Sequence, residues 1–205
     1  MKSLLFLESS PHGHASRSAR LAASAMAALQ RRHPGIRIVS RSLAQDPPPP
    51  ISAAYARAIT GGAPRDAAVF AESERLIREL EDCNGLLICT PMHNFTVPAA
   101  LKLWIDHVLR MGRTMTSTPH GKAGLLADRP TLVLVRAGSR CAGEDARQPD
   151  FLTPYLGRAL AAMGIHRTRF AYLQGPRPAA RDEADALEAL AALFHAVSRE
   201  GAAAA

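Results

Sequence analysis

The sequence has little of what metal sites, disulfide frameworks and membrane spans require. Its 205 residues include only three cysteines, Cys83, Cys89 and Cys141, which have neither metal-ligand spacing nor the even number of a disulfide framework. We therefore expect reduced thiols, no metal site and a cytoplasmic location. No apolar run reaches the ~18 residues of a membrane helix. The first ten residues turn polar without a cleavage pattern, which argues against a signal peptide.

Several nucleotide-binding and hydrolase motifs are also absent. The sequence contains neither a GxGxxG fingerprint nor a GxxxxGK[ST] loop. It has no G-x-S-x-G elbow and no Cys–His pattern around Cys141, so a hydrolase is not favoured. The net charge is +7, but the arginines are scattered among acids and aromatic residues make up only 5%. This pattern favours a small anionic ligand over a nucleic acid.

Short apolar runs alternate with segments of helical periodicity along the chain, which predicts one α/β domain over residues 1–205 with five parallel strands and helices on both faces. The tetraproline 47–50 and the glycines at 61 and 62 predict a loop, with a linker between domains as the alternative. The alanine-rich end, 199–205, predicts a tail that is either disordered or helical. The predicted strands are 3–7, 36–40, 86–89, 131–135 and 166–173, and the predicted helices are 18–32, 67–81, 99–111, 154–163 and 182–198.

Ligands of such sheets bind where loops leave the carboxyl ends of the strands. The first such loop, SPHGHASRS at 10–18, places the hydroxyls of Ser10, Ser16 and Ser18 beside a predicted helix start. Hydroxyls and the unpaired N–H groups of a helix N-terminus suit a phosphate monoester. Ordinary N-capping by Ser16 or Ser18 is the alternative.

The loop after the third predicted strand begins at Thr90. The amide of Asn94 can hydrogen-bond the polar edge of a flat heterocycle, while Met92 and Phe95 can pack on its apolar parts. The alternative is that Met92 and Phe95 are core residues. Trp104 lies in the apolar stripe of the following helix, which predicts packing rather than ligand binding.

The segment PMHNFTVPAALKLWIDHVLRMGRTM at 91–115 resembles the FMN-dependent NADH-azoreductase and NAD(P)H:quinone reductase family. The serine loop and DFLTPYLGRALAAMGI at 150–165 are two further matches in the expected order. The resemblance implies a flavodoxin-like three-layer fold, a homodimer with FMN at the subunit interface, and ping-pong hydride transfer from NADH or NADPH to quinone or azo acceptors. The scattered charges and the lack of a long apolar run, rather than the resemblance, predict no nucleic-acid and no membrane partner.

The resemblance also assigns site residues in three loops. It implies that Ser10 and the turn Ser16, Arg17 and Ser18 hold the FMN phosphate. The ribityl chain and isoalloxazine are expected beside Met92, His93, Asn94 and Phe95. The loop after the fourth strand is expected to close the flavin's other side through Arg136, Ala137, Gly138 and Ser139.

That last loop departs from the family, which usually has S-R-G-G where this chain has R-A-G-S. Arg136 therefore replaces a serine, and its guanidinium is either close to the flavin N1 and C2 carbonyl or solvent-facing. No side chain is expected to be a catalytic acid, because the flavin itself carries the hydride chemistry. A flavodoxin-like binding or regulatory protein with weak or no FMN turnover is the alternative function.

Overall fold

The computed structural model describes residues 2–200. Residues 201–205 of the predicted tail lie outside the described residues. The strands are β1 (Ser3–Glu8), β2 (Arg37–Ser42), β3 (Gly85–Pro91), β4 (Met115–Thr118), β5 (Gly121–Gly124), β6 (Thr131–Ala137) and β7 (Thr168–Gln174). The α-helices are α1 (Arg17–Arg32), α2 (Ala53–Thr60), α3 (Ala71–Glu81), α4 (Ala99–Val108), α5 (Leu152–Met163) and α6 (Ala180–Glu200). Short 3-10 segments cover Gly13–Ala15 and Ala68–Phe70.

The main sheet has the strand order β2-β1-β3-β6-β7, and every pair in it is parallel. Every residue of β1 is buried, because helices cover both faces of the central strands. The edge strand β2 is buried at none of its six positions. The predicted five-stranded parallel sheet with helices on both faces is confirmed.

Alternating residues of the central strands divide the core between the two faces of the sheet. Leu5 and Ile88 face one cluster, where they join residues of α3, α4 and α5, including Trp104. Phe6 and Cys89 face the other cluster, where they join α1 and α6. Trp104 is fully buried, so its predicted packing role is confirmed.

The predicted proline-rich loop contains helix α2, so the loop prediction is wrong for residues 53–60. Ser52 caps this helix, and its Oγ accepts a hydrogen bond from the Tyr55 N–H at 3.1 Å. Tyr55 is its only buried residue, so no apolar stripe marked the helix in the sequence. The ring of Tyr55 packs edge-on against Phe70 and His107.

The hairpin of β4 and β5 was not predicted. Seven of its eight residues are polar or small, and none of the eight is buried, so they lack the apolar alternation of a strand. The end of the hairpin packs against the end of α5, where a Cβ on Gly124 would lie 2.0 Å from the Gly164 backbone nitrogen. Such a close approach requires a glycine.

Helix α4 ends at Val108, three residues before the predicted end. The side chain of Thr114 ends the helix, because its Oγ1 accepts from the Arg110 N–H at 3.0 Å and donates to the Val108 carbonyl at 2.5 Å. Residues after α4 therefore turn back towards the hairpin.

Within residues 2–200, no helix is both long and apolar enough to cross a bilayer. The same residues contain no group of three or more His, Cys, Asp or Glu side chains placed to hold a metal ion. All three cysteines are free and buried.

Candidate functional site

The loops that leave β1, β3 and β6 converge on a cavity of about 350 Å³ at the carboxyl ends of these strands. These three strands are neighbours in the sheet, so their loops meet although they are far apart in sequence. The cavity is lined by Ser10, Pro11, His12, Ser16, Arg17, Ser18, Pro91, Met92, His93, Arg136 and Gly138.

One end of this cavity is the N-terminus of α1. Ser16 caps the helix through its Oγ, which accepts from the Ala19 N–H at 3.2 Å. The Ser16 carbonyl accepts from the Arg20 N–H at 3.0 Å. The N–H groups of Arg17 and Ser18 begin the helix and have no intrahelical acceptor. The capping alternative for Ser16 is thus correct, and capping leaves its hydroxyl hydrogen available to a ligand.

These groups match the oxygens of a phosphate monoester. The cavity is lined by Arg17 and Ser18, which carry the two free N–H groups, and by Ser10 and Ser16. The hydroxyl of Ser18 has no hydrogen-bond partner in residues 2–200. Among the residues that the structure describes, no carboxylate lines the cavity. The positive end of the helix dipole adds to the attraction for an anion.

The guanidinium of Arg17 is directed away from this end of the cavity. Its Nε donates to Glu183 Oε1 of α6 at 2.6 Å, and its Nη2 forms an ion pair with the same oxygen. Arg17 therefore contributes its backbone N–H and a partly neutralised charge rather than a free side-chain donor.

A buried acid, Glu8, lies at the end of β1 behind the serine loop, and the sequence analysis missed it. Its side chain is held in place because Oε1 accepts from the Ser10 N–H at 2.6 Å and Oε2 accepts from the Ser42 hydroxyl at 3.4 Å. Burial raises the pKa of the Glu8 carboxyl, and these two hydrogen bonds offset part of the effect. The signal for Glu8 in the sequence was a single acidic residue at the end of the apolar run of β1.

The loop after β3 has a constrained backbone. His93 and Thr96 exchange backbone hydrogen bonds of 2.9 and 3.0 Å, which close a tight turn around Asn94 and Phe95. Both turn residues have positive φ, 47° and 71°, a conformation that non-glycine residues rarely adopt. Such strain is concentrated at functional sites.

Of the residues assigned to this loop, the structure brings Met92 and His93 into the cavity but not Asn94 or Phe95. Met92 is buried, so the core alternative is also correct for it, whereas Phe95 is 46% exposed. Phe95 lies beside Phe151, whose N–H donates to the Phe95 carbonyl at 3.0 Å. Both rings are exposed outside the cavity.

At the end of β6 and in the loop that follows it, Arg136 and Gly138 line the cavity, while Ala137 and Ser139 do not. Ala137 is fully buried in the core and Ser139 is exposed. Three residues that were not predicted, Pro11, His12 and Pro91, also line the cavity. His12 is exposed, and its position next to Pro11 in the serine loop brings it to the cavity wall.

The side chain of Arg136 is tied to the end of β7. Its Nη1 donates to the carbonyls of Leu173, at 3.1 Å, and Ala137, and its Nη2 donates to the Pro176 carbonyl at 3.3 Å. Burial, followed by the charge of Arg17, lowers the pKa of this guanidinium. The half-buried guanidinium is therefore held against backbone carbonyls rather than free in solvent, and a positive charge is fixed at the cavity wall.

Three clefts have larger volumes. One, of about 490 Å³, runs between α1 and α6, and another, of about 410 Å³, runs along α3. The third, of about 930 Å³, lies between β7 and the loop after β6 and mixes arginines with acids. The 350 Å³ cavity is the candidate site because it combines the N–H groups of a helix start with the convergence of three strand ends.

A family model described as the flavodoxin-like fold, Flavodoxin_2, matches residues 2–196. The FMN-dependent NADH:quinone oxidoreductase 5 of Burkholderia lata is 58% identical over 178 residues, 87% of each chain. The FMN-dependent NADH:quinone oxidoreductase 4 of Pseudomonas fluorescens is 52% identical over 175 residues, 85% of each chain. Among solved structures, an FMN-dependent NADH-azoreductase from Bacillus anthracis in complex with FMN has a TM-score of 0.78 and 22% identity, covering 97% of this chain and 99% of that chain. That last likeness is one of fold.

Proposed function

The chain belongs to the Flavodoxin_2 family of flavodoxin-like proteins, and on that premise we propose that it binds FMN and transfers hydride from NADH to quinones. The observation that carries the proposal is the set of unpaired N–H groups and hydroxyls at the start of α1, which opens onto Met92 and His93. Relatives at 58% and 52% identity are named FMN-dependent NADH:quinone oxidoreductases, which supports the same function.

Different residues of the cavity bind different parts of the cofactor. Ser10, Ser16 and Ser18, with the N–H groups of Arg17 and Ser18, bind the phosphate. Met92 packs on the ring system and His93 borders it. When bound, FMN supplies the hydride-accepting and hydride-donating chemistry, and the chain supplies binding, orientation and exclusion of water. No residue of this chain is required as a nucleophile.

The loop after β6 completes the proposed ring site. Gly138 lets the backbone approach the ring closely, and Ala137 and Ser139 hold this loop between the core and the surface. Arg136 presents a fixed positive charge, which favours electron uptake by a nearby cofactor. Asn94 and Phe95 form the outer rim.

Azo compounds are a second acceptor class in this proposal, because the Bacillus anthracis protein of the same fold is named an azoreductase. NADH rather than NADPH is the proposed reductant, since the names of the relatives specify NADH. We also propose that the reaction follows ping-pong kinetics and that the protein is cytoplasmic.

A second copy of the chain is the proposed partner. Phe95 and Phe151 are adjacent and are 46% and 60% exposed. Large apolar side chains exposed together mark protein interfaces. We place the dimer interface on this rim, where the partner would cover Asn94 and Phe95 and complete the ring site.

Flavin titration tests the function directly. Purified protein freed of flavin is expected to quench FMN fluorescence on binding. NADH is then expected to bleach the flavin absorbance without oxygen, and benzoquinone to restore it. Binding without bleaching would favour the alternative of a regulatory protein, whereas failure to take up FMN at all would overturn the proposal.

A further inference from the structure

We propose that Glu8 is the positioning residue of the phosphate loop and that FMN binding is coupled to the uptake of one proton from solvent by its carboxylate. The inference rests on the proposed function, because FMN is the ligand. It extends that function by assigning a role to an acid that does not line the cavity.

The position of Glu8 connects it to the loop that lines the cavity. Glu8 is 1% exposed and ends the central strand β1, directly behind the loop that lines the cavity. Its Oε1 accepts from the N–H of Ser10, a residue of the cavity wall, at 2.6 Å. This short bond orients the backbone of Ser10, whose Oγ in turn accepts from the His12 N–H at 3.2 Å.

The charge of the Glu8 carboxylate is not balanced by a neighbouring cation among the described residues. Within residues 2–200, no lysine, arginine or histidine nitrogen lies within 4.0 Å of the Glu8 carboxylate. A buried carboxylate without a paired cation is costly to ionise. The protein therefore keeps an uncompensated acid beside the place where a phosphate would bind.

The groups that face Glu8 from its neighbours do not remove this cost. The 3-10 segment and the residue before it bring His12 and His14, whose positive charges favour the ionised carboxylate only weakly. Strand β2 offers the neutral hydroxyl of Ser42 at 3.4 Å. Strand β3 offers Cys89, whose pKa is raised first by burial and then by the charge of Glu8.

A bound phosphate adds negative charge next to this acid. Like charges that share a site favour protonation of one of them. Protonation of Glu8 removes the repulsion and leaves Oε1 as an acceptor for Ser10, so the loop keeps its shape. The proton comes from solvent and is released again when FMN leaves.

Two variants separate charge from positioning. Glu8→Gln keeps an oxygen acceptor for the Ser10 N–H and removes the charge. Glu8→Ala removes both. Fluorescence quenching is measured from about pH 4, near the ordinary carboxyl pKa, to about pH 9, which covers raised values. The affinity for FMN should fall with rising pH more steeply for the native protein than for Glu8→Gln. Across this pH range, the dissociation constant of the native protein divided by that of Glu8→Gln should grow on the order of tenfold. A tenfold change corresponds to a shift of one unit in the pKa of Glu8 when FMN binds.

Glu8→Ala should bind FMN more weakly than Glu8→Gln at every pH, because Ser10 loses its partner. Riboflavin, which lacks the phosphate, should bind the native protein and Glu8→Gln with the same pH dependence. The histidines are common to both proteins, so their titration cancels in the comparison. Thermal melts of all three proteins check that they are folded.

The outcomes distinguish the two levels of the proposal. If FMN does not bind the native protein at any pH, the proposed function fails. If FMN binds but the native protein and Glu8→Gln show parallel pH profiles, proton coupling is wrong. If Glu8→Gln does not fold, the native protein still decides the question, because equal pH slopes for FMN, corrected for the titration of free FMN, and for riboflavin would overturn the inference.

Discussion

The backbone N–H of Met92 donates to the carbonyl oxygen of Arg136 across 2.8 Å. This bond extends the pairing of β3 with β6 beyond Pro91 and Arg136, the last residues in register. It fixes the loop that carries His93 against the loop that carries Gly138. Two walls of the candidate site therefore move together, although 44 positions separate them.

Ser16→Ala should weaken FMN binding about tenfold, because it removes a hydroxyl donor to a charged phosphate. It should also lower the free energy of unfolding by about 1 kcal/mol through loss of the helix cap. The matched control is Ser52→Ala, which removes the equivalent cap of α2 away from the cavity. Equal loss of FMN affinity in both variants would show that capping, not phosphate binding, explains the effect.

Arg136→Met should make the two-electron midpoint potential of bound FMN more negative by about 30 mV, equivalent to about 1.4 kcal/mol. The reason is the loss of a fixed positive charge that favours electron uptake. Arg169→Met, on the exposed edge of β7, is the control and should leave the potential unchanged. Redox titration against a dye of known potential measures both. An unchanged potential in Arg136→Met would remove Arg136 from the flavin site.

Phe151→Ser should convert a dimer into a monomer. Each symmetric dimer buries two copies of this side chain, so the loss is roughly 4 kcal/mol of association free energy. Leu187→Ser is the control, since Leu187 is 48% exposed on α6, away from Phe95 and Phe151. Sedimentation equilibrium distinguishes the states. A native protein that is monomeric at micromolar concentration would contradict the proposed interface.

Glu74→Gln should destabilise the fold by about 2 kcal/mol near pH 7, because Glu74 pairs with Arg110 and Arg113 in a mostly buried site. Burial raises the pKa of this carboxyl, but the hydrogen bond from Arg113 and both positive charges outweigh it, so the pKa is lowered. A lowered pKa stabilises the folded state above the ordinary carboxyl value, and the effect disappears as pH falls through the folded-state pKa.

The difference between native protein and Glu74→Gln in urea denaturation curves should therefore shrink as the pH falls below the ordinary carboxyl pKa. Glu72→Gln is the control, because its pair with Arg75 is more exposed and is worth less than about 1 kcal/mol. A difference that persists undiminished in acid would show that packing, not charge, explains the loss in Glu74→Gln.

Much of the fold could be predicted because burial on both faces of a parallel sheet leaves a direct trace in the sequence. The runs at β1, β3 and β6 are continuous and apolar for this reason. Helix α2 and the β4–β5 hairpin left no such trace. A cap at Ser52 and a glycine contact between Gly124 and Gly164 stabilise them, and neither produces an apolar period.

The candidate site was likewise predicted only in part. By itself, the sequence determined the alternation of strands and helices and the positions of the serine-rich and Met92–His93 loops, because hydrophobic periodicity and local loop chemistry are written along the chain. Only the tertiary structure decided that Arg17 turns to Glu183, that Arg136 binds carbonyls at the end of β7, and that Glu8 is buried with no paired cation among residues 2–200. Each of these depends on a partner distant in sequence or on the dielectric of the folded interior, which no local pattern of residues encodes.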